Sequence, residues 1–225
     1  MFSVRDGCLR ISGDGLGYLA TKQRFRDNRL SLEFRWGDQE GLDRRRWQRQ
    51  GKALDSGVFL HARGPHGNSH DGDGAFMAAI ECNLFEGACG DILLIRGDDE
   101  EGRLIAPRVT HEATEERDSE GFAWWRVDGA PVTLTRWGRV NRLHKSPGWT
   151  DRRGVRSDPP LEKPTGQWNT LECRCQGGSI TIHLNGTQVN HVTKVFPDEG
   201  RILLQCEGAE IHFRRITLHP LGRPD

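Results

Sequence analysis

The chain has 225 residues, enough for one large β-domain, and its 32 Lys and Arg balance its 32 Asp and Glu, so it carries no basic footprint for nucleic acid or an anionic membrane. Its longest wholly aliphatic run, Ile92 to Ile95, falls far short of the ~20 apolar residues a spanning helix needs. The six cysteines show no C-x-x-C spacing, and a chain of this size needs no disulfide framework.

The N-terminal stretch MFSVRDGCLRISG lacks the apolar core of a signal peptide and reads as a strand beginning mid-domain. Either the protein is cytoplasmic or an export segment has been removed. Gly13 to Gly17 (GDGLG) invites a nucleotide-loop reading, but no helical periodicity follows, and LATKQRF reads as another strand. Leu30 to Trp36 alternates: Leu30, Leu32 and Phe34 take one face, Ser31, Glu33 and Arg35 the other. Residues 37 to 55 are a charged, unpatterned loop in which Arg44, Arg45, Arg46 and Arg49 are read as solvated. The strand SGVFLHAR follows and carries His61 at its end, a place more often held by a surface or hydrogen-bonded histidine, though its near-neutral pKa suits proton transfer. GPHGNSHDGDG is turn-rich; its His66, His70, Asp71 and Asp73 are metal-ligating residue types, equally ordinary in a solvated loop.

The stretch from Ala75 to Arg96 reads as two strands joined by a Gly-rich turn at residues 86 to 90. Alternation places Glu81 and Asn83 on a polar face and Ile80, Cys82 and Leu84 on an apolar one. One bulged residue after Asn83 brings Glu86 to the face of Glu81, lining a groove with two carboxylates and an amide. Paired carboxylates on a β-sheet concavity are the usual apparatus for glycosidic-bond chemistry, while solvated glutamates on an edge strand give the same spacing. Glu33 and Arg35 are expected in that same groove.

Residues 97 to 120 read as a solvated excursion containing one short strand, with no chemistry assigned, and PVTLTRW alternates again. Residues 140 to 166 form a long loop holding four of the ten prolines, a length that often shapes a binding site. Trp168 to Cys175, Ser179 to Leu184 and Thr187 to Val192 are alternating strands, and Asn185-Gly186 is a strong hairpin signal. Ile202 to Glu207 and Ile211 to Leu218 follow; Ile202, Leu204 and Cys206 take the apolar side, which sends Gln205 to the polar one. Cys173, Cys175 and Cys206 fall on apolar faces as buried, reduced thiols. About twelve strands and no convincing helix predict an all-β, two-sheet antiparallel jelly-roll sandwich over residues 1 to 225 as one domain.

The stretches DGCLRISGDGLGYLATKQRFRDNRLSLEFRWG, DSGVFLHARGPHG, IECNLFEGACGDILL, EKPTGQWNTLEC, ITIHLNGTQVN and GRILLQCEGAEIHFRRITLHPL resemble, in order, the 3-keto-disaccharide hydrolase domain family, a jelly-roll group related to concanavalin-type lectins and glucanases. The resemblance covers nearly the whole chain. Members of that family usually carry Gln where this chain has Asn83, and usually begin with an export signal and a further strand upstream of Phe2. The resemblance therefore implies a periplasmic or extracellular protein trimmed at its N-terminus.

It further implies action on glycosides already oxidised to a ketone at C3. Such a ketone acidifies the C2 proton, so a positioned base can remove it, expel the C1 substituent and let water add back. Glu81, His61 and Glu86 are then the candidate acid-base groups, and Glu33, Arg35, Asn83 and Gln205 the candidate substrate contacts. The enolate needs a donor, a cation or a divalent metal ion near its oxygen; the metal's ligands are left unassigned. Two other readings stand beside this one. A non-catalytic, lectin-like carbohydrate-binding module fits the same fold. A retaining β-glucanase is suggested by Glu81-x-Asn83-x-x-Glu86, which resembles E-x-D-x-x-E with Asn for the charge-tuning Asp.

Overall fold

The structure, a computed structural model, describes residues 1–39, 51–157 and 159–222. In chain order its strands are β1 (Phe2–Arg5), β2 (Cys8–Ile11), β3 (Leu16–Ala20), β4 (Asn28–Trp36), β5 (Gly57–Arg63), β6 (Ala78–Asn83), β7 (Ile92–Ile95), β8 (Gly97–Asp98) and β9 (Leu104–Ile105). They continue with β10 (Arg108–Arg117), β11 (Ala123–Trp125), β12 (Ala130–Thr135), β13 (Gly138–Val140), β14 (Asn169–Gln176), β15 (Ser179–Leu184), β16 (Thr187–Phe196), β17 (Arg201–Glu207) and β18 (Ile211–Pro220). One 3-10 turn, Gly72–Gly74, is the helical element among the described residues.

Ten strands form one antiparallel sheet, in the order β1-β2-β18-β4-β14-β15-β16-β10-β11 with β12 also on β10. A second sheet of six runs β13-β7-β6-β5-β17-β3. The apolar faces read from the sequence meet between them. Val58, Leu60, Ile80, Cys82 and Cys206 of the six-stranded sheet share one buried cluster with Leu30, Leu32, Phe34, Leu171, Cys173 and Ile182 of the larger one. Each such side chain contributes about 1.5–3 kcal/mol on full burial, so the shared interior holds the two sheets face to face. The fold is the all-β jelly-roll sandwich that the alternation predicts.

The Asn185-Gly186 hairpin is as expected: both residues have positive φ, 50° and 84°, and Leu184 pairs with Thr187. Other boundaries moved. The strand near the N-terminus is Leu16–Ala20, and most of LATKQRF lies beyond it. Gly13 is needed there for space, since a Cβ would lie 2.4 Å from the carbonyl carbon of Ala209. Residues 97 to 120 contain the ten-residue β10, which pairs with β16 and β12 and buries Val109, His111 and Ala113. Its charged outer residues disguised a strand of the main sheet. Arg44, Arg45, Arg46 and Arg49 lie outside the described residues.

Candidate functional site

The outer face of the six-stranded sheet, turned away from the shared core, carries a cleft of about 320 Å³. Strand register explains its floor. Glu81 on β6 lies between Phe59 of β5 and Leu93 of β7, and Leu93 pairs onward with Arg139 of β13. One row along, Asn83 pairs with Gly57, and the β5–β17 register through Leu204↔Val58 brings Gln205 beside that same glycine. Glu81, Asn83, Gln205, Glu207, Arg139 and Asp55 all line the cleft. Phe76, Leu93 and Ile95 line the cleft too, and belong to an apolar cluster with Phe59, Met77, Ala79 and Leu203. Trp149 and Asp151, from the long loop after β13, form one wall, and Trp137, 57% exposed and edge-to-face with Phe122 at 5.2 Å between ring centroids, stands at the cleft as well.

The site is acceptor-rich. Glu81, Asn83 and Gln205 are 3%, 4% and 1% exposed, yet Glu81 Oε1, Asn83 Oδ1 and Gln205 Oε1 have no hydrogen-bond partner. An unsatisfied buried acceptor costs about 1–3 kcal/mol, and here three of them meet on adjacent strands at the foot of one cleft. Burial, reinforced by the neighbouring Glu207 and Asp55 carboxylates, holds the Glu81 carboxyl well above the usual range, with Arg139 acting in the opposite sense. A carboxyl so held is a stronger base once ionised and keeps its proton to higher pH than an ordinary glutamate.

Of the residues singled out from sequence, the fold brings together Glu81, Asn83 and Gln205, with Asp71 at the same cleft, and disperses the rest. Glu33 and Arg35 belong to β4 in the other sheet, on the opposite outer face of the sandwich. Glu33 accepts from Arg214 (2.5 Å) and Arg215 (2.7 Å), and Arg35 stacks over Trp168 at 4.8 Å. Alternation had identified their polar face correctly but says nothing about which sheet a strand joins. They are not in the groove.

His61 is displaced by a local irregularity in β5, where the register shifts between Leu60 and Arg63 and His61 itself has φ 55°. Its imidazole is buried; Nδ1 donates to the Pro197 carbonyl at 2.9 Å, and burial lowers its pKa. It does not line the cleft with Glu81.

Glu86 is not rotated onto the face of Glu81 either. It is buried under the turn after β6, where Leu54 N–H donates to Oε2 at 3.3 Å and Arg153 and Arg156 approach at 3.2 and 3.7 Å. The carboxylate pair that a retaining glucanase would draw from Glu81 and Glu86 is therefore not formed in this cleft. His66 and His70 are likewise separated in use, His66 against Tyr18 OH at 2.8 Å and His70 against Asp98 at 2.9 Å. Among the described residues no group of three or more His, Cys, Asp or Glu is disposed to hold a metal ion.

Several contributors escaped the sequence reading. Glu207 shares the parity of Gln205 and was within reach of the same argument; Asp55 lies two residues ahead of Gly57, just outside the strand. Arg139 sits in a three-residue strand too short to show a period. The wall bearing Trp149 is pinned by buried charges: Lys145 Nζ contacts Asp91 at 2.7 Å and Asn141 at 2.6 Å, and the Arg142 guanidinium lies 3.6 Å from Glu162. Glu162 in turn accepts from the N–H groups of Gly87 and Cys89 at 2.9 and 3.0 Å, clamping the Gly-rich turn.

Two solved structures illustrate the fold. A candidate glycosyl hydrolase from Parabacteroides distasonis aligns with TM-score 0.54 at 16% identity, over 98% of this chain and 90% of that one. The carbohydrate-binding module CBM66 of Bacillus subtilis aligns with TM-score 0.51 at 10% identity, over 97% and 91%. At such identities these show a common architecture. No curated protein sequence matches significantly. The family model described as a 3-keto-alpha-glucoside-1,2-lyase-like domain matches residues 2–219, so the chain belongs to that family and its function is carbohydrate-related.

Proposed function

We propose that the protein cleaves glycosides oxidised to a ketone at C3, with Glu81 as the group that moves the proton. The observation that carries this reading is a buried carboxyl with a raised pKa and an unpartnered oxygen, in a cleft of a chain belonging to this family. In the proposed reaction Glu81 takes the C2 proton, the electron pair of that C–H bond passes into the enolate, and the C1–O bond breaks as C1=C2 forms. The departing oxygen takes up a proton, which Glu81 can return if both events occur on one face of the ring. Water adding across C1=C2 then gives net hydrolysis; release before that step gives net elimination.

Arg139 is the cation assigned to the developing negative charge on the C3 oxygen. Trp149 and Trp137 offer aromatic surface for the ring faces of the sugar. Asn83 and Gln205 are assigned to its hydroxyls.

The test is product analysis by NMR with a 3-keto α-glucoside and its unoxidised parent. Only the keto compound should be consumed, and Glu81→Gln should lower kcat/KM by roughly 10²-fold or more with the fold intact. Full activity in a folded Glu81→Gln protein removes the assignment. Tight binding of the keto glycoside without turnover would instead favour a carbohydrate-binding module, and cleavage of unoxidised β-glucan a glucanase.

A further inference from the structure

We propose that Glu207 is a positioning residue that fixes the Gln205 amide, so that Gln205 Oε1 joins Glu81 Oε1 as an acceptor beside Gly57 and the cleft floor selects its glycoside by a donated ring hydroxyl. The inference rests on reading the cleft as a sugar site, but not on cleavage occurring there.

The geometry begins with Gln205 Nε2, which donates to Glu207 Oε2 at 2.6 Å. An ionised carboxylate can only accept, so the amide must turn its NH2 toward Glu207 and its carbonyl the other way. Oε1 consequently faces Gly57. A Cβ on Gly57 would stand 2.3 Å from Glu81 Oε1 and 2.9 Å from Gln205 Oε1, so both oxygens converge on space that glycine alone leaves open. Neither has a partner, and Asn83 Oδ1, on the residue paired with Gly57, has none either.

These three oxygens are acceptors and cannot satisfy one another; the Asn83 NH2 is the one amide donor among the three side chains that Glu207 does not engage. A protonated Glu81 contributes at most one donor, which leaves acceptors over. The matching ligand brings O–H groups, as a sugar ring does, and a carboxylate or phosphate is repelled. A ketone oxygen is also an acceptor, so the floor turns the carbonyl of an oxidised sugar away and takes a neighbouring hydroxyl instead. This leaves the carbonyl free to face a cation such as Arg139. Glu207 thus acts through Gln205 to set which way round the ring lies.

The experiment uses methyl α-glucoside and its 2-, 4- and 6-monodeoxy analogues, titrated by quenching of tryptophan fluorescence, with Trp149 and Trp137 at the cleft as reporters. Wild type should bind one analogue about tenfold or more weaker than the parent, the scale of one lost hydrogen bond to a buried acceptor. In Glu207→Gln an amide in that place both donates and accepts, so it no longer dictates which end of Gln205 faces Glu81. The preference should then fall toward one at unchanged Tm, and Gln205→Met should lose it as well. A preference that survives Glu207→Gln, a wild type that treats all analogues alike, or a wild type that no glycoside quenches would overturn the inference. Selective binding without turnover of a 3-keto glycoside would leave it standing and remove the proposed reaction; turnover without selectivity would do the reverse.

Discussion

Glu81 costs the fold something that its strand neighbours do not. It is a carboxyl among buried groups, with one oxygen unsatisfied and other carboxylates nearby. The sign of its effect follows from linkage. Because the folded pKa lies above the unfolded one, the native state holds this proton more tightly; the contribution to stability is fully present below the unfolded pKa near 4.5 and is lost as pH rises through the folded value. Glu81→Gln cannot titrate and escapes that loss. Its Tm should exceed wild type at pH 8 by a few degrees, since 1 kcal/mol moves Tm by about 2–4 °C in a domain of this size, and the gap should close as pH falls toward 4.5. Calorimetry across that range checks it; a lower Tm for the variant at pH 8 would mean that the carboxylate is stabilised by its surroundings. Parity along β6 made Glu81 and Asn83 legible in the sequence, and parity along β17 did the same for Gln205. The unsatisfied state of their oxygens was not, because it depends on what neighbouring strands fail to supply, Gly57 above all.

Among the elements, the sequence conveyed which residues share a face and left open which sheet a strand enters. Glu33 and Arg35 show this: their alternation is regular, but β4 lies in the ten-stranded sheet and its polar face looks out from the far side. His61 and Glu86 show a second limit. One sits where the β5 register shifts and the other in a turn, and period-two reasoning stops at both. The loop after β13 read as a long connection, yet it is held by buried ions. Lys145 and Asp91 are 2% and 1% exposed at the side chain, so removing one partner strands the other. Asp91→Ala should destabilise the protein by about 3–5 kcal/mol in denaturant unfolding. Asp91 Oδ1 also accepts from the Arg142 backbone N–H at 2.8 Å, so the loss should loosen the wall that carries Trp149 and weaken glycoside binding. A loss below about 1 kcal/mol would show that water replaces the carboxylate at Lys145.

At the scale of the whole molecule, strand alternation sufficed for the all-β sandwich because each apolar face needs a partner and two sheets are the simplest way to give it one. The thiols report whether those faces separate together. Cys82 lies on the six-stranded sheet and Cys173 and Cys175 on the ten-stranded one, all within the same buried cluster; Cys89 and Cys206 belong to it too, while Cys8 is partly exposed. Burial pushes the Cys175 thiol up to about 12 and Cys206 to about 11, so the thiolate is scarce even where reagent reaches it. In the folded protein a thiol reagent should therefore label Cys8 rapidly and the other five slowly. Cys82 and Cys173 contact one another across the sheets, so the two report on the same interface from its two sides. Raising denaturant should expose both at one midpoint, coincident with loss of the tryptophan signal, as a single cooperative core requires. Labelling of Cys82 at a lower denaturant concentration than Cys173 would show instead that the site-bearing sheet opens on its own, and would make its stability a separate quantity from that of the larger sheet.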